Sequence, residues 1–404
     1  MNAQSLGTPD YAGHWITDPV HRAWLAHDAR QQLAFFAPSL RPDGGFDVLD
    51  LDGTPLDGPQ ELHTTTRLVH SYALAKQWGA GDCDAVINAG MDFLWLRHRD
   101  VLNGGYVWSV KDGITADGVK LAYGHVFVLL AGASAKNVGH PDADRLIADV
   151  TALIDQHYWD EDAGLLRDEF TQDWQPFSTY RGYNANMHGV EAMLTAFEAT
   201  GNDVYLKRAG RILDFFIGRI APAHGFRLPE HYTESWKPDL EYQGNPMFRP
   251  RGTTPGHSFE LGRLALQHWD LAGRPAGTAA QDARRLIETA LDDAWLADGG
   301  FAYTLDYSGK VMMPDRYWWP VTEAIGALAT LIKLDPQPQD EGWYRKLWQF
   351  ASDNLIDHAR GGWFPELDAG GKPVAKQFMG KPDIYHAVQA DLLPLASGIS
   401  RPFR

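Results

Sequence analysis

Cysteine is all but missing. Cys83 is the single one in 404 residues, so the chain can build no intrachain disulfide, thiolate zinc site or iron–sulfur cluster, and a reducing compartment is its natural home. Positive charge is also in deficit: 36 lysines and arginines face 52 acidic residues, a formal charge of −16 at pH 7. That balance argues against nucleic acid or an anionic membrane as the main partner. Long apolar runs are lacking too, since the most apolar one, Val126 to Ala135, is too short to span a bilayer. The opening Met1-Asn2-Ala3-Gln4-Ser5-Leu6 has no basic region followed by an apolar stretch, so no export signal is expected and the protein is read as cytoplasmic. No GxxxxGK[ST] loop, GxGxxG turn, HExxH helix or GxSxG elbow occurs, and the chemistries those motifs carry have no place here.

What is present is a repeat. The length allows two average domains or one large repetitive one, and no Pro/Ser-rich linker or charge block divides it, so residues 1–404 are read as a single catalytic domain. Glycine turns recur at Gly44-Gly45-Phe46, Gly104-Gly105-Tyr106, Gly164-Leu165, Gly225-Phe226, Gly299-Gly300-Phe301 and Gly361-Gly362-Trp363, roughly 60 residues apart with one wider interval. Short alternating stretches follow most of them, such as 106–110 and 301–305, and read as small hairpins. Between the turns lie about two helix-period segments per unit, for example 62–78 with 85–97 and 186–200 with 205–217. Six helix pairs without a sustained strand run predict an all-α fold, a closed (α/α)6 barrel with short β-hairpins in its loops. Open solenoids use shorter repeats, of about 34 to 47 residues. The longest non-periodic stretch, 226–256, is rich in aromatics and reads as an ordered loop at the site.

A second period overlies the first. Arg67, His125, His188, His257, Glu323 and His386 fall near the starts of successive helices, so a closed ring would gather them at one mouth. Thr254 is the expected N-cap and Pro255 the first helical residue of the helix bearing His257, which places its imidazole near unsatisfied backbone N–H groups. A neutral histidine there can act as a base near pH 7. His386 repeats the arrangement. Asn184, His188 and Glu191 share one helix face, and His257 and Glu260 lie one turn apart, with a salt bridge from Glu260 to Arg263 or Arg251 as the structural alternative. Trp318 or Trp319 can stack on a sugar face. Arg249, Arg251 and Arg67 can offset negative charge on an enediolate or an anionic substrate group. A histidine-only metal set would draw on His125, His188, His257 and His386, but the mouth offers few of the carboxylates that Mg²⁺ or Mn²⁺ prefer, so no metal is expected.

Arg67, the run Arg181-Gly182-Tyr183-Asn184-Ala185-Asn186-Met187-His188, the run from Phe248 to His257, Trp319-Pro320 with Glu323, and Lys381-Pro382-Asp383-Ile384-Tyr385-His386 together resemble the N-acylglucosamine 2-epimerase family, in its aldose–ketose isomerase branch. The resemblance implies an (α/α)6 barrel and cofactor-free, metal-independent chemistry in which His257 opens the sugar ring and His386 handles the proton at C2. It implies substrate binding by Arg67, Tyr123, Asn184, His188, Arg249, Glu260, Trp319 and Glu323. The expected activity interconverts D-mannose and D-fructose, with sulfoquinovose isomerisation or sugar 2-epimerisation as neighbouring alternatives. The expected partner is a monosaccharide, and a homo-oligomer stays open. Two other classes compete: a glycoside hydrolase using Glu230 with Glu234 or Asp239 with Glu241, and a sugar-binding scaffold presenting Trp318 and Trp319.

Overall fold

Helix-period segments become helices close to where their spacing places them. The computed structural model describes residues 5–403, so Met1 to Gln4, which carry most of the export reading, and Arg404 lie outside the described residues. Among these, twelve helices of at least ten residues follow in order: α1 (Pro19–Phe36), α2 (Leu62–Trp78), α3 (Asp84–Phe93), α4 (Ala122–Asn137), α5 (Ala143–Leu153), α6 (Tyr183–Thr200), α7 (Asp203–Leu213), α8 (Pro255–Leu271), α9 (Ala279–Ala294), α10 (Trp318–Leu334), α11 (Pro338–Asn354) and α12 (Tyr385–Leu395). The predicted 85–97 and 205–217 helices end sooner than their apolar period, because α3, α5 and α7 each widen into a π turn at 94–98, 154–158 and 214–220.

Burial sorts these helices into two layers. The second outer segments carry a single apolar stripe, as in α9, where Ala283, Leu286, Ile287, Ala290, Leu291 and Ala294 are buried and the rest face water. Their partners are apolar all round, as in α10, buried without a break from Trp318 to Ile332. The apolar helices α2, α4, α6, α8, α10 and α12 each pack on the next, and α12 packs on α2, which closes an inner ring; α3, α5, α7, α9, α11 and α1 cover it from outside. The architecture is an (α/α)6 barrel. Close packing between layers needs small residues: at Gly262 of α8 a Cβ would stand 2.6 Å from Ile287 Cγ1 of α9. No helix among the described residues is long and apolar enough to cross a membrane.

The strands are short and serve the mouth of the ring. The residues just before each inner helix pair antiparallel with the loop of the following unit: Gln60–Glu61 with 109–110, Lys120–Leu121 with Glu169–Phe170, Arg181–Gly182 with His231–Tyr232, Thr253 with Leu305, and Arg316–Tyr317 with Glu366–Leu367. Lys381 pairs with Leu49 and completes the circle. The recurring Gly-Gly turns have a physical cause in the same region. Both glycines adopt positive φ at 104–105, 299–300 and 361–362. In each, a carbonyl is thereby aimed at a buried cation: Lys120 Nζ donates to Gly104, Arg316 Nε to Gly299 at 2.7 Å, and Lys381 Nζ to Gly361 at 2.7 Å. The predicted hairpins are present but start later than expected, pairing Ser109–Lys111 with Ile114–Asp117 and Thr304–Leu305 with Val311–Met313.

Candidate active site

Six helix starts converge on one mouth, and their register decides which side chains meet. The second residue of each inner helix is His63, Tyr123, Asn184, Gly256, Trp319 or His386, and four positions on lie Arg67, Phe127, His188, Glu260, Glu323 and Ala390. One helical turn separates the two layers. His125, counted with the mouth residues from its spacing, belongs to neither. Its Nδ1 lies 2.8 Å from Leu121 O and its Nε2 accepts from Tyr106 N–H at 3.1 Å, so it is a satisfied core residue, and Tyr123 is the α4 residue that faces inward.

His257 and His386 both lie against one indole. Their ring centroids lie 5.1 and 5.8 Å from Trp319, each tilted about the same amount to it, at 35° and 36°. Trp319 can lie this close because residue 256 is glycine: a Cβ there would fall 2.3 Å from Trp319 Cζ3. Trp318 faces Phe378 and the edge of His386 instead.

Each of these histidines has a carboxylate behind it. His257 Nδ1 is 3.0 Å from both oxygens of Glu230, and His386 Nδ1 is 2.7 Å from Glu323 Oε1. With Nδ1 committed, Nε2 is the nitrogen left to meet a substrate. Glu230 also accepts from Thr254 N–H at 3.2 Å, so a carboxylate occupies the helix start that the sequence assigned to the Thr254 side chain; Thr254 caps by position only, with no side-chain bond. Burial of this carboxylate near the free N–H groups fits the helix dipole. Glu234, its supposed hydrolase partner, is exposed and 4.0 Å from Arg181, and Glu241 is exposed on Arg251. Each carboxylate pair of the hydrolase reading thus has one member out in solvent.

Deeper in, charges are buried in a mixed cluster. Arg67 donates to Asp383 Oδ2 at 2.9 Å and to Tyr123 Oη at 2.8 Å, and its guanidinium lies over Phe127 and Tyr385. His188 Nδ1 is 3.2 Å from Glu191 Oε2, which also accepts from Tyr385 O–H. Burial pushes the His188 imidazole down to about 4, so it is neutral and its Nδ1–H donates. Arg263 donates to Glu323 Oε2 at 3.3 Å. Burial alone would raise Glu191 and Glu323, but His188 pulls the first below the usual carboxylate range and Arg263 with His386 pulls the second.

Glu260 is the exception. Burial, then the charges of Glu323 and Glu191, hold its carboxyl well above the usual range, and neither oxygen has a hydrogen-bond partner. The alternative bridge to Arg263 or Arg251 does not form; Arg263 turns to Glu323 and Arg251 to Glu241. Arg67 Nε, Arg263 Nε, Asn184 Oδ1 and Gln389 Nε2 are likewise buried without a partner. Buried polar atoms left unsatisfied are costly unless a hydroxylated molecule meets them.

Arg249 stands apart from this group. It pairs with Glu169 at 2.6 Å and lies 3.9 Å from the Tyr180 ring centroid, so the arginines of the cluster are Arg67 and Arg263, not Arg249 and Arg251. Sequence reasoning placed Glu230 only in the hydrolase alternative, named Asp383 and Tyr385 only within the run that carries the resemblance, and did not name Gln389. The last three sit within or one turn beyond the run ending at His386, and their helical phase could have flagged them. Glu230 lies in the non-periodic loop, 27 residues from its partner, where spacing carries no signal. Two sets of buried ligand atoms are close enough to hold a metal ion: His188, Glu191 and Glu260, and Glu260, Glu323 and His386.

A closed ring of helix pairs with carboxylate-backed imidazoles and one neutral acid at its mouth defines an acid–base catalyst of the (α/α)6 type, suited to a small polyhydroxylated substrate. The sequence profile of the N-acylglucosamine 2-epimerase (GlcNAc 2-epimerase) family matches residues 44–390, and the chain belongs to that family. A D-mannose isomerase of Thermobifida fusca is 39% identical over 390 residues, 94% of this chain and 96% of that protein. One from Pseudomonas cannabina pv. alisalensis is 38% identical, covering 94% of each. A crystal structure of a D-mannose isomerase superposes with a TM-score of 0.87 at 31% identity, over 92% of this chain and 97% of the other.

Proposed function

We propose that the protein is an aldose–ketose isomerase that interconverts D-mannose and D-fructose through a cis-enediol. The observation that carries this reading is the placement of His257 and His386 about a single indole, each with Nδ1 on a carboxylate and Nε2 available. Two proton carriers are what the reaction needs. A pyranose must open before its C2 proton becomes acidic, so His257 protonates the ring oxygen as the anomeric hydroxyl loses its proton. His386 then takes the C2 proton as O1 gains one, which gives the enediol, and protonation at C1 with loss of the O2 hydroxyl proton gives the ketose. Each such step is typically worth about 10² to 10⁴ in rate. Negative charge building on the enediol oxygens is met by Arg67 and by the proton of Glu260, in a buried setting where such donors count most. The route uses no metal ion.

Two relatives at 39% and 38% identity, matched over nearly their full length, are named as D-mannose isomerases and favour mannose as substrate. Arg249 and Arg251 are held by Glu169 and Glu241, so they offer less to a sulfonate than their sequence positions promised. Incubation with mannose in D₂O, followed by NMR, tests the proposal. Fructose carrying deuterium at C1, with deuterium entering C2 of residual mannose, is the expected result; glucose alone would make the enzyme an epimerase, and no exchange would end the reading.

A further inference from the structure

Glu260 invites a question that proton transfer does not answer: what else binds a buried carboxyl whose two oxygens meet no donor. It is 1% exposed, and its Oε1 lies 3.4 Å from His188 Nδ1, which in turn lies 3.2 Å from Glu191 Oε2. A tetrahedral zinc ion with N and O ligands at about 2.0–2.1 Å holds those ligand atoms about 3.3 Å apart. The spacing around Nδ1 is therefore that of a zinc ligand set, and the third separation stays within 4.8 Å. We propose that His188, Glu191 and Glu260 form a binding site for one zinc-type divalent cation, and that the cation excludes the sugar.

Charge supports it. Glu191, Glu260, Glu323 and Asp383, when all ionised, face the two guanidiniums of Arg67 and Arg263, and one divalent ion brings the buried group to neutrality. The alternative set is less suited. Glu323 is already bonded by Arg263 through one oxygen and by His386 through the other, so a cation there would displace both. In the proposed site the ion replaces the proton between His188 and Glu191. The imidazole stays neutral by carrying its proton on Nε2, Glu260 loses its proton to solvent, and one proton leaves for each ion bound. A water would complete the tetrahedron. Because His188 and Glu260 also line the proposed sugar pocket, inhibition rests on the isomerase reading; binding of the ion does not.

Titration calorimetry of the full chain with zinc chloride, in two buffers of different ionisation enthalpy, tests the binding. One ion per chain, about one proton released, affinity rising with pH, and weakening by added mannose are expected. Glu260→Gln and Glu191→Gln, shown folded by circular dichroism, should each weaken zinc by at least about tenfold, whereas Glu234→Gln on the exposed loop should not. Absence of zinc heat, or equal affinity in Glu260→Gln, overturns the proposal. Zinc binding that Glu260→Gln abolishes, in a protein that leaves mannose unchanged, keeps the metal site and removes the isomerase reading; mannose turnover that saturating zinc leaves unchanged keeps the isomerase reading and overturns exclusion of the sugar by the ion.

Discussion

Glu230 and Glu323 do for the two histidines what the histidines cannot do alone. They fix which nitrogen carries the proton and where the ring points. Glu230→Gln keeps the shape but removes the charge and brings an amide N–H₂ against Nδ1, so kcat should fall by about 10² or more with KM little changed. Steady-state kinetics beside an unaltered circular dichroism spectrum checks it, and a loss confined to KM would make Glu230 a binding residue. His386→Ala should abolish deuterium entry at C2 while the chain stays folded, which NMR in D₂O reads directly. At this scale the sequence was legible where a residue sits on a helix. His257, Glu260, Trp319, Glu323 and His386 all occupy the mouth. It was illegible for Glu230, because a partner brought in by a loop leaves no period behind it.

At the scale of elements, the close fit of α8 to the start of α10 sets the distance between the two imidazoles. Gly256→Ala would drive a methyl into Trp319, and overpacking of this kind costs about 1–3 kcal/mol. A lower melting temperature and a raised KM are expected, with Trp319→Phe in the same background restoring part of the stability. A second junction joins α1 to α12. Gln32 Nε2 bonds Asp28 at 3.0 Å and Asp391 at 2.5 Å, and Trp363 Nε1 donates to Asp28 at 3.1 Å. Burial raises both carboxyls, and Asp28 raises Asp391 further, so the pair holds a proton in the folded chain. A pKa raised on folding gives stability that is complete below the ordinary carboxylate range and is lost as pH climbs toward the folded value. Asp391→Asn preserves the bond and removes the titration. Its melting temperature should match the parent at acid pH and rise above the parent's as pH climbs past the carboxylate range. A mutant equally stable or weaker at high pH would refute the shared proton. The misreading of His125 also belongs here: a period of roughly 60 residues finds the helix, but the strand-paired entry to each helix sets the phase, and that entry differs between units.

For the whole molecule, the metal-free route predicts that exhaustive EDTA treatment leaves mannose turnover within about twofold of the untreated enzyme, where a metal-assisted enzyme would lose most of its rate. The barrel was legible because six glycine turns and twelve helix-period segments repeat one instruction, and the two layers follow from apolar stripes against all-round apolarity. The closing contacts were not legible, since Leu49 with Lys381 and Asp28 with Asp391 join positions at opposite ends of the chain. That closure has a consequence for synthesis. A nascent chain that has delivered five helix pairs already bears His257 and Trp319 but lacks His386, and the α12 side of the pocket is an open apolar seam. Chemistry thus begins only when the final inner helix wedges between α2 and α10, and until then the unfinished barrel is the form most exposed to chaperones and proteases.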